Sequence, residues 1–261
     1  MKSPILPALL LGAAALPAAA VDVRVTVENL APANGTFITP VWVGFHNGGF
    51  DLYDRGAPAS PALERLAEDG SIAPLSAAFL ASLAGVVDGA LFGPTIPPVG
   101  PGESATAVFS LDAMTATSRY FSYASMIIPS NDAFIGNGNP MAFRIFADDG
   151  TFLGTQFTVL GTMILDAGTE VNDEVPANTA FFGQAAPNTG LDQNGTVELH
   201  PGFIPGGPIL SDPMFANAEF LAANYQVVRI TVGLVPEPGT VAGGAAVAGL
   251  AGFAARRRRR A

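Results

Sequence analysis

The sequence contains no cysteine and very little histidine or lysine. The absence of cysteine among 261 residues excludes disulfides, thiolate metal sites and cysteine nucleophiles. The only lysine is Lys2, so no Walker-type phosphate loop is present. Neither His46 nor His200 accompanies a Gly-x-Ser-x-Gly or His-Glu-x-x-His motif, which argues against a serine-hydrolase triad and a zinc protease. We therefore expect both histidines to be structural, His46 bonded to a loop backbone and His200 in an exposed turn.

Basic residues are also scarce, and half of the 12 lie at the ends of the chain. Between residues 21 and 235 the sequence has six arginines and 21 Asp and Glu residues, which gives a net charge of −15. Such a charge repels nucleic acid and attracts cations. Because six scattered arginines cannot form a phosphate-binding stripe, we exclude nucleic acid as a partner.

The C-terminus combines a Pro-Glu-Pro motif, an apolar run and a basic cluster. Residues 241–255 contain no charge, and this run is somewhat shorter than the roughly 20 residues that span a bilayer as a helix. The arginines behind it favour a cytoplasmic C-terminus, with the rest of the chain outside. The motif and the cluster comprise Pro236, Glu237, Pro238, Arg256, Arg257, Arg258, Arg259 and Arg260. Their order resembles the PEP-CTERM sorting signal of Gram-negative bacteria, which implies an exosortase as processing partner and a transmembrane helix that holds the precursor in the inner membrane.

The N-terminus has the features of a secretory signal peptide. Lys2 provides a positive charge, residues 5–16 are apolar, and residues 18–20 are alanines suited to cleavage. The sequence thus predicts a signal peptide over residues 1–20, a domain over 21–233 and a sorting signal over 234–261. We expect secretion or attachment to the cell surface after export.

The central region has the pattern of an antiparallel β-protein. Residues 21–28 alternate between apolar and polar side chains, which is typical of a half-buried strand. Further strands are predicted at 37–45, 105–111, 119–128, 142–147, 152–160 and 225–232, with Pro40 marking an edge or a bulge and Asp149-Gly150 a hairpin turn. The Gly- and Pro-rich connections between them favour an all-β sandwich or barrel over an α/β fold.

Two short helices interrupt the predicted strands. Ser60-Pro61 forms a helix start and Gly70 a stop, and a second helix is predicted from Ser76 to Leu83. The segment 161–214 is rich in Asp, Asn, Gly and Pro, so we expect long loops that carry short strands. We also expect Phe134 to pack beneath its loop.

An acidic loop is the candidate site for a ligand. Asp166 and Glu170 flank a glycine, and Asn172, Asp173 and Glu174 follow directly. Crowded carboxylates repel each other unless a cation is bound, and Ca²⁺ accepts an irregular set of oxygen ligands. The spacing matches no EF-hand, however, and acidic loops are usually solvated surface, so the composition leaves both interpretations open.

Three blocks of the sequence are similar to spondin domains, the N-terminal domain family of F-spondin. They lie at residues 46–70, at 126–136 with its Pro-Ser-x-Asp loop, and at 166–170, where Ala-Gly-Thr stands between two acids. The resemblance implies an antiparallel β-sandwich with short helical insertions and Ca²⁺ bound at one end. Carried over by position, it implies Asp132, Asp166 and Glu170 as ligands, where Glu170 replaces the family's usual aspartate.

We therefore expect an exported, exosortase-processed surface or matrix protein that binds calcium and adheres to exopolysaccharide or to another surface protein, and not an enzyme. Two alternatives remain. One is an exported polysaccharide hydrolase with Asp166 and Glu170 as acid and base. The other is a structural matrix component without a specific ligand.

Overall fold

A computed structural model of the protein describes residues 20–94 and 98–236. The regular secondary structure of these residues is mostly antiparallel β-sheet with a few short helices, which confirms the expected all-β class. The predicted signal peptide up to residue 19, Glu237, Pro238, the apolar run and Arg256–Arg260 lie outside the described residues. Within the described ranges, no helix is long and apolar enough to cross a membrane.

The smaller sheet contains four strands and both ends of the domain. Its order is β5 (Ser104–Asp112), β1 (Ala20–Asn29), β11 (Gln226–Leu234) and β8 (Thr155–Leu160), all antiparallel. The alternating sequence of β1 places Val23, Val25 and Val27 in the core, as predicted. The first and the last strand of the domain are thus neighbours.

The larger sheet contains seven strands. Its main order is β10 (Glu198–Leu199), β9 (Leu165–Asp166), β7 (Ala133–Gly136), β6 (Tyr120–Ile128), β3 (Val41–His46) and β4 (Gly85–Leu91), and β2 (Phe37–Ile38) also pairs with β6. One apolar cluster joins the inner faces of the two sheets and includes Val25, Phe45 and Phe121. Burial of one such side chain contributes about 1.5–3 kcal/mol. The two sheets therefore pack as a sandwich.

A β-bulge interrupts the predicted strand 37–45 at Pro40. Ile38 pairs with Ile127 and Trp42 with Ala124, so one extra residue is accommodated between the two pairs. Thr39 bridges the interruption, because its N–H donates to the Met126 carbonyl over 3.1 Å and its hydroxyl accepts from the Met126 N–H over 3.1 Å. β3 itself is an inner strand, so the edge position is wrong and the bulge is confirmed.

The predicted strand 142–147 is wrong, and the predicted strand 152–160 is shorter than expected. On either side of the predicted Asp149-Gly150 turn, the backbone forms isolated bridges in place of a strand pair. They join Tyr120 to Arg144 and Phe146 to Phe152. The backbone N–H of Ile145 is instead bonded to the Arg119 carbonyl. The turn itself is confirmed, because Gly150 has φ +80° and the Asp149 carboxylate accepts the Thr151 N–H over 3.0 Å.

Both predicted helices are present beside the larger sheet. α1 (Pro61–Asp69) begins at the Ser60 cap, whose hydroxyl accepts the Leu63 N–H over 3.2 Å, and ends at Gly70 with φ 64°. α2 (Ala73–Ala81) starts earlier than predicted because Pro74 occupies its first turn. A short α3 (Pro208–Ser211) lies in the long segment 161–214, which otherwise forms loops with short strands, as expected.

The strand directions define two ends of the sandwich. One end, which we call the terminus end, contains the first residues of β1 and β8 and the last residues of β5 and β11. The strand register shows this, because Ala20 pairs with Asp112, Val23 with Leu234 and Thr155 with Val232. β6 also starts there, since Tyr120 bridges Arg144 next to the 147–151 turn. β6 finishes at the opposite end, where β2 pairs with it and Ile38 bridges Val99.

Candidate functional site

The candidate calcium residues lie together at the end opposite the terminus end, which we call the acidic end. Asp132 stands between β6 and β7, and Asp166 is the last residue of β9. Because Ala133 pairs with Asp166 across these strands, the sheet brings the two carboxylates side by side. Glu170 follows in the loop after β9, and its backbone N–H is bonded to the Asp132 carboxylate over 3.1 Å.

The Asp132 carboxylate is buried, and only one of its oxygens has partners. Oδ2 accepts hydrogen bonds from the Thr169 N–H over 2.8 Å, the Thr169 hydroxyl over 3.2 Å and the Glu170 N–H over 3.1 Å. Oδ1 is equally buried and has no hydrogen-bond partner. Burial, followed by the nearby charge of Asp166, raises the pKa of Asp132 to about 7. One oxygen therefore orders the loop, and the other has no hydrogen-bond partner within the protein.

Both oxygens of Asp166 are already used within the protein. Oδ1 accepts the Gly168 N–H over 2.6 Å, in a turn where Gly168 has φ +69°. Oδ2 accepts from the Asn172 side-chain amide over 2.5 Å. Asp166 therefore needs to exchange one of these hydrogen bonds before it can bind a cation.

His200 completes this chain of hydrogen bonds and is buried, so its predicted exposed turn is wrong. Its Nδ1 accepts the Gly202 N–H over 3.1 Å, so Nε2 carries the proton and donates to Asn172 Oδ1 over 3.1 Å. Burial lowers the pKa of His200 to about 4, although Asp166 opposes this shift. His200 thus holds Asn172, which in turn holds Asp166.

Glu170 repeats the asymmetry of Asp132. Its Oε1 accepts the Gly190 N–H over 3.0 Å, while Oε2 is buried without a partner. Burial and the charge of Glu68 raise the pKa of Glu170 to about 7. A side chain at Gly190 would overlap the Glu170 carboxyl, since an added Cβ would lie 2.1 Å from its carbon. Glycine at position 190 therefore makes room for this carboxylate.

Helix α1 supplies two residues that the sequence analysis did not assign to the site. Glu68 is 3% exposed, and burial raises its pKa. Arg65 lies 3.0 Å from Glu68 Oε2 and also contacts Asp69 and Asn188. The buried carboxylates of the acidic end thus have one nearby arginine. More than 100 residues separate Glu68 from Glu170, so no local spacing in the sequence indicates their proximity.

The remaining acids of the loop have structural roles. The Glu174 carboxylate accepts the backbone N–H groups of Ile204 over 2.5 Å and Ile209 over 3.2 Å. Asp173 accepts from the Val175 N–H and from the Asn178 amide. The expected repulsion among the four carboxylates of this loop is thus reduced, because Asp173 and Glu174 are occupied by their own hydrogen bonds.

Among the described residues, no three His, Asp or Glu side chains are arranged to hold a metal ion. The donors nevertheless fit a hard cation in kind, since Asp132 Oδ1 and Glu170 Oε2 are buried oxygens without partners. Beside them lies an open polar groove of about 260 Å³, whose acidic lining residues are Glu64, Glu68 and Asp192. The arrangement therefore places these two oxygens next to an open groove.

Comparison with known families assigns the chain on the basis of this region. The Spondin_N family model matches residues 31–175, which is more than half of the chain and includes the three blocks of the sequence analysis. The chain belongs to the Spondin_N family. No curated protein matches the sequence. The Spondin_N match covers the two helices and the strands from β2 to β9, with Asp132, Asp166 and Glu170 among them.

The Spondin_N assignment also supports the coarse functional expectation. A domain of this family indicates an extracellular interaction domain. His46 is buried and structural, as expected, and is bonded to the Ser122 hydroxyl over 2.9 Å and to the Gly48 N–H over 3.0 Å. Phe134 is also buried, as expected, and packs against Tyr53.

Proposed function

We propose that this protein is exported, processed by an exosortase and displayed at the cell surface or in the extracellular matrix, where its Spondin_N domain binds Ca²⁺ and adheres to exopolysaccharide or another surface protein. The observation that carries the calcium proposal is the pair of buried oxygens without partners, Asp132 Oδ1 and Glu170 Oε2. Asp166 would be the third ligand after it exchanges its bond to Asn172.

Bound calcium would neutralise carboxylates that are otherwise buried with little compensation. The protein's own residues prepare the site. Thr169 and Glu170 hold Asp132 through their backbone N–H groups, and His200 holds Asp166 through Asn172. Because these bonds connect the loop 166–172 to the connection between β6 and β7 and to the 200–202 turn, an ion at the site would fix the shape of the acidic end.

Calcium binding is tested by calorimetry and thermal unfolding of residues 20–236 in EDTA, Mg²⁺ and Ca²⁺. We expect a calcium-specific stabilisation of about 2.7 kcal/mol at one hundred times the dissociation constant. Asp132→Asn and Glu170→Gln should abolish it. The matched control is Glu198→Gln, because Glu198 pairs with Asp166 in the sheet but its side chain is 54% exposed. If Ca²⁺ stabilises Asp132→Asn as much as the unchanged protein, the proposed site is rejected.

Adhesion is tested by binding of the same fragment to immobilised exopolysaccharide in Ca²⁺ and in EDTA. Calcium-dependent retention that Asp132→Asn removes is the expected result. Retention that is equal with and without calcium would instead favour the purely structural matrix component. The hydrolase alternative predicts release of reducing sugar that depends on Asp166 and Glu170. The burial of Glu170, which is 3% exposed, and the engagement of both Asp166 oxygens support a non-enzymatic role.

Exosortase processing is tested in cells with the complete chain. Removal of Arg256–Arg260, or Glu237→Ala, should leave a precursor of higher mass in the membrane fraction. Cleavage at an unchanged rate in both variants would reject the sorting signal. The result is independent of calcium, so this part of the proposal succeeds or fails separately.

A further inference from the structure

The two ends of the sandwich differ in charge and in their distance from the chain termini. The terminus end is formed by residues 20–24, 82–86, 112–119, 139–154 and 232–236, which the strand register brings together. The 235 backbone N–H donates to the Asp22 carbonyl over 2.9 Å, so the first and last described segments leave the domain side by side.

Exposed apolar side chains lie on the loops of the terminus end. Leu83 is 81% exposed, Met141 59%, Met114 57% and Leu153 54%. Each stands in or next to a connection: Leu83 between α2 and β4, Met114 after β5, Met141 after β7 and Leu153 before β8. Exposure alone does not distinguish the two ends, because Leu191 at the acidic end is also 59% exposed.

Charge does distinguish the two ends. The segments of the terminus end carry the carboxylates of Asp22, Asp112, Asp148 and Asp149 and the guanidinium groups of Arg24, Arg119 and Arg144. Two of these arginines bind Asp148, at 3.2 Å and 2.6 Å. At the acidic end, residues 131–132 and 166–174 carry five carboxylates and helix α1 adds Glu68 and Asp69, with Arg65 as the nearby arginine. A surface of anionic lipid therefore repels the acidic end much more strongly than the terminus end.

The length of chain between the domain and the apolar run limits how far the domain can stand from a membrane. Residues 236–240 separate Val235 from Val241, and fully extended they reach at most about 20 Å. The nine residues of β6 at about 3.3 Å each place the acidic end about 30 Å beyond the terminus end. A membrane segment at 241–255 thus keeps the terminus end close to lipid.

We propose that in the precursor, before exosortase cleavage, the terminus end lies on the lipid bilayer through Leu83, Met114, Met141 and Leu153, and that it holds the acidic end about 30 Å away from the membrane. This inference rests on the proposed membrane insertion of residues 241–255. The partner is the lipid surface itself, with its apolar boundary against the loop side chains and its head groups against the three arginines. The acidic end is then presented outwards, towards other macromolecules.

The absence of cysteine allows a direct test with the complete chain in vesicles of phosphatidylethanolamine and phosphatidylglycerol. Met141→Cys and Leu191→Cys are a matched pair, since both native side chains are 59% exposed and lie at opposite ends. Each is labelled with a fluorophore, and quenching by lipids with a nitroxide head group is measured. Met114→Cys and Leu153→Cys serve as second probes of the terminus end.

We expect strong quenching of the fluorophores at positions 114, 141 and 153. The fluorophore at position 191 should be as bright as in control vesicles that lack the nitroxide lipid. Quenching at 191 that equals that at 141, or no quenching at either position, would overturn the inferred orientation. Flotation of the same vesicles tests the proposed membrane insertion separately. If the complete chain does not float with lipid, the membrane part of the proposed function is rejected together with the orientation. If it floats without quenching at 141, only the orientation is rejected.

Discussion

Replacement of Asp132 by asparagine should stabilise the calcium-free protein at neutral and alkaline pH. Asparagine has nearly the same shape, and its oxygen can accept the hydrogen bonds that Oδ2 accepts from Thr169 and Glu170. The amide carries no charge, so the variant avoids the cost of an ionised carboxylate that is fully buried and close to Asp166.

The magnitude follows from the pKa of Asp132. Burial and Asp166 raise this pKa from 3.8 to about 7 in the folded protein, which corresponds to about 4 kcal/mol. Because the folded state keeps the proton to higher pH than the unfolded state, the free energy of unfolding falls as the pH rises between these two values. The destabilisation is therefore absent below pH 3.8, complete above about pH 7, and lacking in the variant at any pH.

The assay is urea unfolding of residues 20–236 in EDTA from pH 4.5 to pH 8. The result is the difference in the free energy of unfolding between the variant and the unchanged protein at each pH. Taking this difference removes the contribution of the buried histidines, which changes with pH in the opposite direction. The control is Asp149→Asn, an exposed carboxylate that also accepts a backbone N–H, whose pKa is lowered mainly by its bonds to Thr151. A variant that is less stable than the unchanged protein at pH 8, or a difference independent of pH, would refute the reasoning.

Three further predictions use other parts of the fold. Burial lowers the pKa of His46 from 6.5 to about 4, so the unchanged protein should lose up to about 3 kcal/mol relative to His46→Gln as the pH falls through this window; a parallel pH dependence of the two in urea would contradict this. Gly161→Ala should destabilise by about 1–3 kcal/mol or more in thermal unfolding, because its Cβ would lie 1.8 Å from the Phe220 carbonyl, whereas Gly233→Ala meets nothing within 4 Å and should change little. Glu174→Gln places an amide N–H against one of two backbone N–H groups and should cost about 1–3 kcal/mol; faster hydrogen exchange at 204–209 would locate the loss, and unchanged exchange there would argue against it.

Local patterns were sufficient where one element determines its own structure. The alternation in β1 predicted its buried face, and Ser60 and Gly70 predicted the limits of α1, since a cap needs only residues within four positions. The class of the fold followed from these patterns, and the family resemblance added the sandwich. The bulge at Pro40 was predicted as one of two options because proline lacks the N–H that an inner strand requires.

Elements that depend on distant partners were missed. β4 contains two glycines and an aspartate, which weaken its strand pattern, yet Trp42 in β3 holds Asp88 of this strand through a 2.9 Å bond from its indole N–H. The sequence His200-Pro201 suggested an exposed turn, but the imidazole partner Asn172 lies 28 residues away. At the candidate site, proximity of Asp132 to Asp166 came from the family resemblance, and the roles of Glu68 and Arg65 required the folded chain.

The position of β11 has a consequence for the order of folding along the proposed export route. This strand is the last of the domain, yet it lies inside the four-stranded sheet, between β1 and β8. Until residues 226–234 are available, β8 has no partner in that sheet and one edge of β1 is unpaired. The sandwich therefore closes only when the apolar run directly behind β11 has reached the translocation channel. On the proposed route, the fold is therefore completed at the moment when the apolar run arrives, and a chain that stops before β11 lacks a finished core.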